Sequence, residues 1–305
     1  KPLIRRGLTA KPTNKRKEIH MPTVVIIGGG PAGLSAAIYA ARANLETTVL
    51  YKDGGALGKT DKIENYFGFP AALPGAELLA RGQEQAARLG AKLVQTEVTG
   101  VEYAEKGFSV KTTDGVFAAD AVILATGAPR AVPPVAGVAD FEGRGVSYCA
   151  VCDAFFYRGK AVAVLGQGEY ALEEARTLLP VAGAVTLLTN GDAPPAGLPE
   201  GLAVDTRPVA AIEGEDKVAR VAFAAGEPLD ADGVFIAYGT AGSADFARKL
   251  GAQLSGNKIQ TDAGMSTAVP GLFAAGDCTG GLLQVAKAVS DGAQAAMSAV
   301  KFVRK

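Results

Sequence analysis

A glycine turn set between a β-branched run and an alanine-rich stretch constrains this chain most: Thr23–Ile27 reads as a strand, Gly28-x-Gly30-x-x-Gly33 as a tight turn, and residues 32–43 as a helix. A second β-rich run at residues 47–51 arrives one helix later, which completes a parallel βαβ unit with a right-handed crossover. The same grammar returns about 138 residues downstream: residues 161–165 are strand-like, Gly166-x-Gly168-x-x-Ala171 turns, residues 171–179 read as helix, and residues 185–188 as the next strand. Between the two units, residues 97–110 and 116–119 alternate like antiparallel strands, and Ala121–Leu124 is a buried run ending at Ala125-Thr126-Gly127. A matching meander at 209–223 and an apolar run at 233–238 follow the second unit. The expectation is an α/β chain of two Rossmann-like, three-layer nucleotide-binding domains, each with a small antiparallel β insertion. At 305 residues the length suits two such domains. Pro133-Pro134 and residues 239–242 are the expected hinges.

Composition removes whole classes of chemistry. Residues 1–20 carry seven basic side chains and one acid, so 24 basic and 30 acidic residues remain from Met21 onward, a formal charge of minus six. A body of that sign offers no footprint for a phosphate backbone, and no nucleic-acid partner is expected. The only histidine is His20, which excludes Ser-His-Asp and Cys-His catalysis and histidine-rich metal sites from the body. His20-Met21 is what a common cloning site encodes around a start codon, so residues 1–20 are expected to be a vector-derived tag or an N-terminal extension outside the fold. The longest uncharged stretch, residues 21–41, is broken by Gly28-Gly29-Gly30-Pro31, and no membrane span is expected.

The first glycine turn stands where a dinucleotide fingerprint must stand, after a strand and opening a helix, so that backbone amides and the helix N-terminus can meet a pyrophosphate. A dinucleotide is expected there. The second turn argues against an anion: Glu169 puts a carboxylate beside the pyrophosphate position, and Tyr170 adds bulk where small residues allow close approach. From residue 177 through 206 there is no Lys, Arg or His, so nothing near Thr189-Asn190 would hold a ribose 2′-phosphate. NADPH therefore fits poorly. Asp192 lies about where an acid could bind the 2′-hydroxyl of NADH, which leaves NADH open beside a domain that binds no nucleotide.

The cysteines are Cys149, Cys152 and Cys278. Two thiols at Cys149-Ala150-Val151-Cys152 spacing reach one another across a single turn, and a positive helix end beside them favours thiolate. Zinc would need four ligands, and the body has three cysteines and no histidine, so no metal site is expected. A redox-active disulfide in a reducing compartment, the cytoplasm, is the expectation. Cys278 lacks a partner at that spacing and reads as a packed small residue.

In combination these motifs resemble the low-molecular-weight thioredoxin reductases, over essentially all of residues 23–303. The resemblance rests on Gly28-Gly29-Gly30-Pro31-Ala32-Gly33-Leu34, Glu64-Asn65-Tyr66 with Gly68-Phe69-Pro70, Ala125-Thr126-Gly127-Ala128, Gly143-Arg144-Gly145-Val146-Ser147, the cysteine pair with Asp153, and Ala274-Ala275-Gly276-Asp277. It implies a discontinuous FAD-binding domain of residues 21–130 and 241–305, and a nicotinamide-type domain of residues 131–240 carrying the cysteines. It implies FAD held by Gly28, Gly30 and Gly33 at the pyrophosphate and Asp277 at the ribityl chain, with Asn65, Thr126, Gly127 and Gly276 also in the site and Gln284 and Ala286 near the flavin ring. It implies that Cys152 exchanges electrons with flavin, that Cys149 attacks a thioredoxin-like partner, that Asp153 moves the proton, and that the protein is a homodimer. Two departures stand out. Residues 53–60, Asp-Gly-Gly-Ala-Leu-Gly-Lys-Thr, lack the family's Gly-Gly-Gln-Leu run, and neither the His-Arg-Arg cluster nor the Asn/Asp and Ser/Thr of the second turn is present. The expected branch is the one that takes electrons from ferredoxin or another carrier. The competing readings are a conventional NAD(P)H-dependent reductase, a flavin-dependent dithiol oxidase, and a non-enzymatic flavin redox sensor or zinc-binding module.

Overall fold

The computed structural model describes residues 21–127, 135–238 and 241–305. The 1–20 segment, Ala128, Pro133-Pro134 and Gly239 lie outside the described residues. In chain order, β1 (Thr23–Ile27), α1 (Pro31–Arg42) and β2 (Glu46–Tyr51) lead to a short α2 (Gly55–Gly58), α3 (Gly75–Arg88) and β3 (Lys92–Gln95). Next come β4 (Val98–Tyr103), β5 (Phe108–Thr112), β6 (Gly115–Ala119) and β7 (Ala121–Leu124). The second stretch holds β8 (Val146–Ser147), α4 (Ala150–Asp153), β9 (Ala161–Gly166), α5 (Gly168–Leu178), β10 (Ala184–Leu188) and β11 (Leu202–Asp205), then β12 (Val209–Gly214), β13 (Val218–Phe223), β14 (Leu229–Asp230) and β15 (Gly233–Ala237). The chain closes with α6 (Ser243–Lys249), β16 (Leu254–Ser255), β17 (Lys258–Ile259), β18 (Leu272–Ala274) and α7 (Val285–Val303).

Two parallel five-stranded sheets result, in the orders β18-β7-β1-β2-β3 and β11-β10-β9-β15-β8, with separate antiparallel sheets of β4-β5-β6 and β12-β13-β14. This is the expected α/β fold. The first sheet takes four strands from residues 23–124 and its edge strand β18 from beyond the second sheet.

The two-residue period of each strand builds three layers. In β1, Val24 and Ile26 face α1 and α7, while Val25 and Ile27 face the antiparallel sheet through Val101, Phe108 and Val110. In β9, Val162 and Val164 meet Leu172, Ala175 and Leu178 of α5, while Ala163 and Leu165 meet Ile212, Val221 and Phe223. Past their first residue both β1 and β9 are buried on both faces, which is why these two runs are apolar without alternation. One apolar cluster continues from Val25 and Leu124 through Val98 and Phe108 to Tyr170 and Leu172, so α5 packs on the antiparallel sheet that covers the first parallel sheet.

Local chemistry accounts for the ends. Pro31 sits in the first turn of α1, where a missing N–H costs nothing, and Arg42 lies in its last turn, opposite the negative helix end. Expected boundaries shift in three places. The 97–110 run is two strands, turned at Gly107 with φ +67°; the second helix begins at Gly168 rather than 171; and the 209–223 meander is completed by β14.

Candidate active site

The C-terminal ends of β1, β2 and β7 open on a cavity of about 560 Å³ lined by Gly28, Gly30, Asp53, Asn65, Thr126, Gly127, Gly276, Asp277 and Gln284. A crevice at that end of a parallel sheet is where a doubly wound fold gathers a dinucleotide. The turn explains its own glycines. A Cβ on Gly28, whose φ is +121°, would lie 2.2 Å from the Ala125 carbonyl oxygen, and one on Gly33 would lie 1.8 Å from the Gly28 carbonyl oxygen. Gly30 differs: a Cβ there meets no protein atom within 4 Å and would project into open space instead. No side chain caps α1 and its first turn carries no acid, so its amides are aimed at the cavity mouth without a competing carboxylate. This cradle fits a dinucleotide pyrophosphate.

The rest of the lining comes from distant segments. Asn65 Nδ2 donates to Gln284 Oε1 at 2.8 Å, joining residues 219 apart. Gly276 N–H donates to Asp291 Oδ2 at 3.0 Å, and Lys287 Nζ, 2.7 Å from that carboxylate, also donates to the Gly276 carbonyl at 2.8 Å. With Lys258 Nζ donating to the Asp277 carbonyl at 2.9 Å, the Asp277 turn is fixed by two lysines and leaves the Asp277 carboxylate to the cavity. Ala286 is exposed in the first turn of α7 and is not part of the lining; its neighbours Val285 and Ala288 are. Gly33 likewise packs under the turn and is not part of the lining. Residues 53–57 and Thr60 line the cavity despite the missing family run. Asp53 also lines the cavity; its signal in the sequence is an acid about twenty residues past Gly33, the spacing at which a dinucleotide fold places a ribose acceptor.

Cys149 and Cys152 are joined by a disulfide, Cα to Cα 5.3 Å. Cys149 is the N-cap of α4, and its sulfur accepts from Cys152 N–H at 3.2 Å. The two sulfurs face different surroundings. Cys149 is 1% exposed, whereas Cys152 is exposed, with its Sγ 3.9 Å from the Arg248 carbonyl oxygen of α6. Asp153 Oδ2 accepts from the buried Ser147 hydroxyl at 2.6 Å, and Cys149 N–H donates to the same hydroxyl at 3.1 Å. Partial burial, with the Asp153 and Asp232 carboxylates second, holds the Tyr157 phenol above its usual value. Beside the pair stand Phe155 and Phe156, 70% and 66% exposed, which no sequence pattern separates from core aromatics.

At the second glycine turn, Glu169 is paired with Arg176 Nη1 at 2.5 Å, within α5. Tyr170 does not obstruct the turn as expected: its ring is fully buried in the core. Thr189 Oγ1 donates to the Asp192 carbonyl at 2.5 Å, and Asn190 Oδ1 accepts from Val209 N–H at 2.7 Å, while the Asp192 side chain is exposed. Arg207, the first base after the stretch without Lys, Arg or His, grips Asp205 through Nε and Nη2, at 3.0 and 2.6 Å, and lies 3.8 Å over the Phe223 ring. Among the described residues no group of His, Cys, Asp or Glu could hold a metal, and no helix is long and apolar enough to cross a membrane. Cys278 is buried and reduced, with burial pushing its thiol up to about 11.

Residues 22–292 match the pyridine nucleotide-disulphide oxidoreductase family. The chain is 39% identical to a thioredoxin reductase of Aquifex aeolicus over 300 residues, 92% of this chain and 93% of that one. It is similar to the crystal structure of the atypical thioredoxin reductase TRi from Desulfovibrio vulgaris Hildenborough, with a TM-score of 0.87 and 43% identity over 93% of this chain and 98% of that one. A ferredoxin-flavin thioredoxin reductase from Clostridium acetobutylicum matches at a TM-score of 0.67 and 33% identity, covering 93% of this chain and 99% of that one.

Proposed function

Because the chain belongs to the low-molecular-weight thioredoxin reductases within the pyridine nucleotide-disulphide oxidoreductase family, we propose that it reduces a thioredoxin-like protein disulfide through Cys149 and Cys152 with electrons from a donor other than NADPH. The family implies FAD, and the cavity with its uncapped α1 and open Gly30 supports that group, with Gly28 and Gly30 at the pyrophosphate, Asp53 toward the ribose, and Asn65, Thr126, Gly127, Gly276, Asp277 and Gln284 around the remainder. Bound there, FAD would supply the electron pair that reduces the Cys149–Cys152 disulfide, passing it on from a donor that the side chains alone do not oxidise. In this reading residues 21–130 with 241–305 form the FAD domain and residues 131–240 the cysteine-bearing domain.

The protein's own steps follow from thiol chemistry. The Cys149 thiolate attacks one sulfur of the partner disulfide, a mixed disulfide forms, and the other partner sulfur leaves as a thiolate and takes up a proton. Cys152 then attacks Cys149, the second partner sulfur leaves, and the Cys149–Cys152 bond reforms. The partner has gained two electrons and two protons and the pair has lost two electrons. Asp153, held by Ser147, lies four residues from Cys149 and is the group placed to pass those protons. Val151, Phe155 and Phe156 supply the apolar surface that a protein partner would cover.

The observation that carries the donor assignment is the second glycine turn, where the first turn of α5 holds a carboxylate, Glu169, at the place where an incoming phosphate would need positive potential. Arg176 is spent on Glu169 and Glu173, and Arg207 on Asp205. A ferredoxin-type carrier is the donor class this leaves, in keeping with the ferredoxin-flavin relative. The test is anaerobic flavin absorbance during titration with NADPH, NADH and then a reduced ferredoxin system with thioredoxin. Silence to both nicotinamides, with bleaching and thioredoxin reduction by ferredoxin, is expected; bleaching at micromolar NADPH or NADH overturns the assignment.

A further inference from the structure

Cys149, the thiol assigned to the partner, is 1% exposed, so no protein disulfide reaches it in this arrangement. What keeps it buried is specific. Glu174 of α5 pairs through Oε1 with Lys249 at the end of α6, and its Oε2 accepts the Ala150 N–H at 2.7 Å. Ala150 is the first residue of α4 and follows Cys149 directly. One carboxylate therefore ties the cysteine turn to α6, and both its oxygens are satisfied. The Glu174 and Lys249 side chains are 1% and 7% exposed, and the Lys249 ammonium lies 5.2 Å from the centroid of the buried Tyr170 ring.

Helix α6 is held at its other end too. Ser243, its first residue, is hydrogen-bonded to Thr126 in the cavity wall, so α6 is a strut from that wall to the cysteine turn, with the Arg248 carbonyl oxygen 3.9 Å from Cys152 Sγ. Other ties join the same elements. The Arg248 guanidinium lies 5.5 Å over the Tyr148 ring, Tyr103 donates to the Leu250 carbonyl at 2.7 Å, and Lys111 approaches Glu173 at 3.8 Å with both side chains partly in solvent.

We propose that the Lys249–Glu174 pair is a latch that holds the cysteine turn shut against α6, and that Cys149 becomes reachable only when this pair opens. A buried ion pair suits that task. The desolvation of two ions offsets most of their attraction, so the closed state is specific in geometry without being deep, and opening returns both ions to water. An apolar contact of equal size would gain nothing on opening. Lys249 and Glu174 are thus positioning residues, acting through Ala150 on Cys149. The proposal rests on the reading of Cys149 as the partner-facing thiol, while its test requires neither donor nor partner.

Holoenzyme reduced anaerobically with dithiothreitol is labelled with iodoacetamide, and the rates at Cys149, Cys152 and Cys278 are followed by peptide mass spectrometry. In the double variant E174Q/K249M, which removes both charges at similar volume, Cys149 labelling is expected to rise at least about tenfold, equivalent to about 1.4 kcal/mol easier opening. Cys152 and the buried Cys278 keep their rates, and K249R, which preserves the charge, stays within about twofold of the parent. A Cys149 rate unchanged in a double variant with native flavin content and circular dichroism overturns the latch. Should the double variant not fold, amide exchange in the unaltered protein decides: Ala150 N–H exchange and Cys149 labelling must respond in parallel to added urea, and divergence rejects the proposal. Released labelling without any thioredoxin reduction would instead sink the reductase reading and leave the latch standing.

Discussion

Thr126 and Ser243, 117 residues apart, exchange hydrogen bonds in both directions: Ser243 N–H donates to Thr126 Oγ1 at 2.7 Å, Thr126 N–H donates to Ser243 Oγ at 3.0 Å, and the hydroxyls lie 2.8 Å apart. The exchange ties the segment after β7 to the start of α6 and closes one wall of the cavity. Ser243→Ala removes the acceptor of a partly buried N–H and is expected to cost about 1–3 kcal/mol. Because Thr126 lines the cavity, flavin release should quicken as well. Denaturant unfolding and flavin fluorescence measure the two effects; a variant unchanged in both would remove this pair from the site.

The glycines of the first turn separate folding from binding. Gly28→Ala places a methyl against the Ala125 carbonyl at a positive φ and is expected to lower stability by more than about 2 kcal/mol. Gly30→Ala meets no protein atom, so the fold should survive while flavin content falls. Thermal unfolding of the flavin-free forms, beside flavin stoichiometry after purification, checks the contrast. Equal losses of stability in both would mean that Gly30 serves packing rather than a ligand.

The roles proposed for the two cysteines predict different consequences of their loss. Cys149→Ser should abolish reduction of the partner, whereas Cys152→Ser should leave the first attack intact and trap a mixed disulfide visible on a non-reducing gel. Trapping by Cys149→Ser instead would reverse the assigned roles.

Phe155 and Phe156 should behave as anchors for the partner. Truncating both to Ala is expected to raise KM for a protein disulfide about tenfold or more, with little change in stability because the rings are already in water. Steady-state kinetics against a thioredoxin and against a small disulfide separate docking from chemistry. An equal loss on both substrates would speak against a docking role.

What the chain reveals before folding is what its neighbours in sequence decide. Thr23–Ile27, the Gly28 turn, Ala121–Leu124 and the cysteine spacing are set within a few residues, and the structure places them as read. Edge strands β8 and β18, of two and three residues, are too short to carry a period. Tyr170 next to a glycine turn gives no sign that its ring turns into the core, since burial of one face of α5 is decided by the distant strand β4 packing on it. The same holds for Glu174 with Lys249, 75 residues apart, and Thr126 with Ser243: each is an unremarkable polar residue until the fold brings its partner. Asn65, Asp277 and Gln284, named through the resemblance, come from distant segments and line one cavity, a convergence that no local pattern displays.

Cys278 provides a pH test. Burial raises its thiol from 9.0 to about 11, so the folded chain keeps this proton at pH values where the unfolded chain releases it. With more protons bound when folded, stability must fall as pH rises: the contribution is fully present below about pH 9, declines between 9 and 11, and is lost above the folded value. Cys278→Ala removes that titration. Its stability should therefore decline less steeply than the parent's between pH 9 and 11, by up to about 2–3 kcal/mol, while other alkaline groups, Tyr157 included, affect both proteins alike. Urea unfolding at a series of pH values resolves the slopes, and parallel curves would show that the thiol is solvated more than its contacts with the Leu124 and Ala275 carbonyls allow.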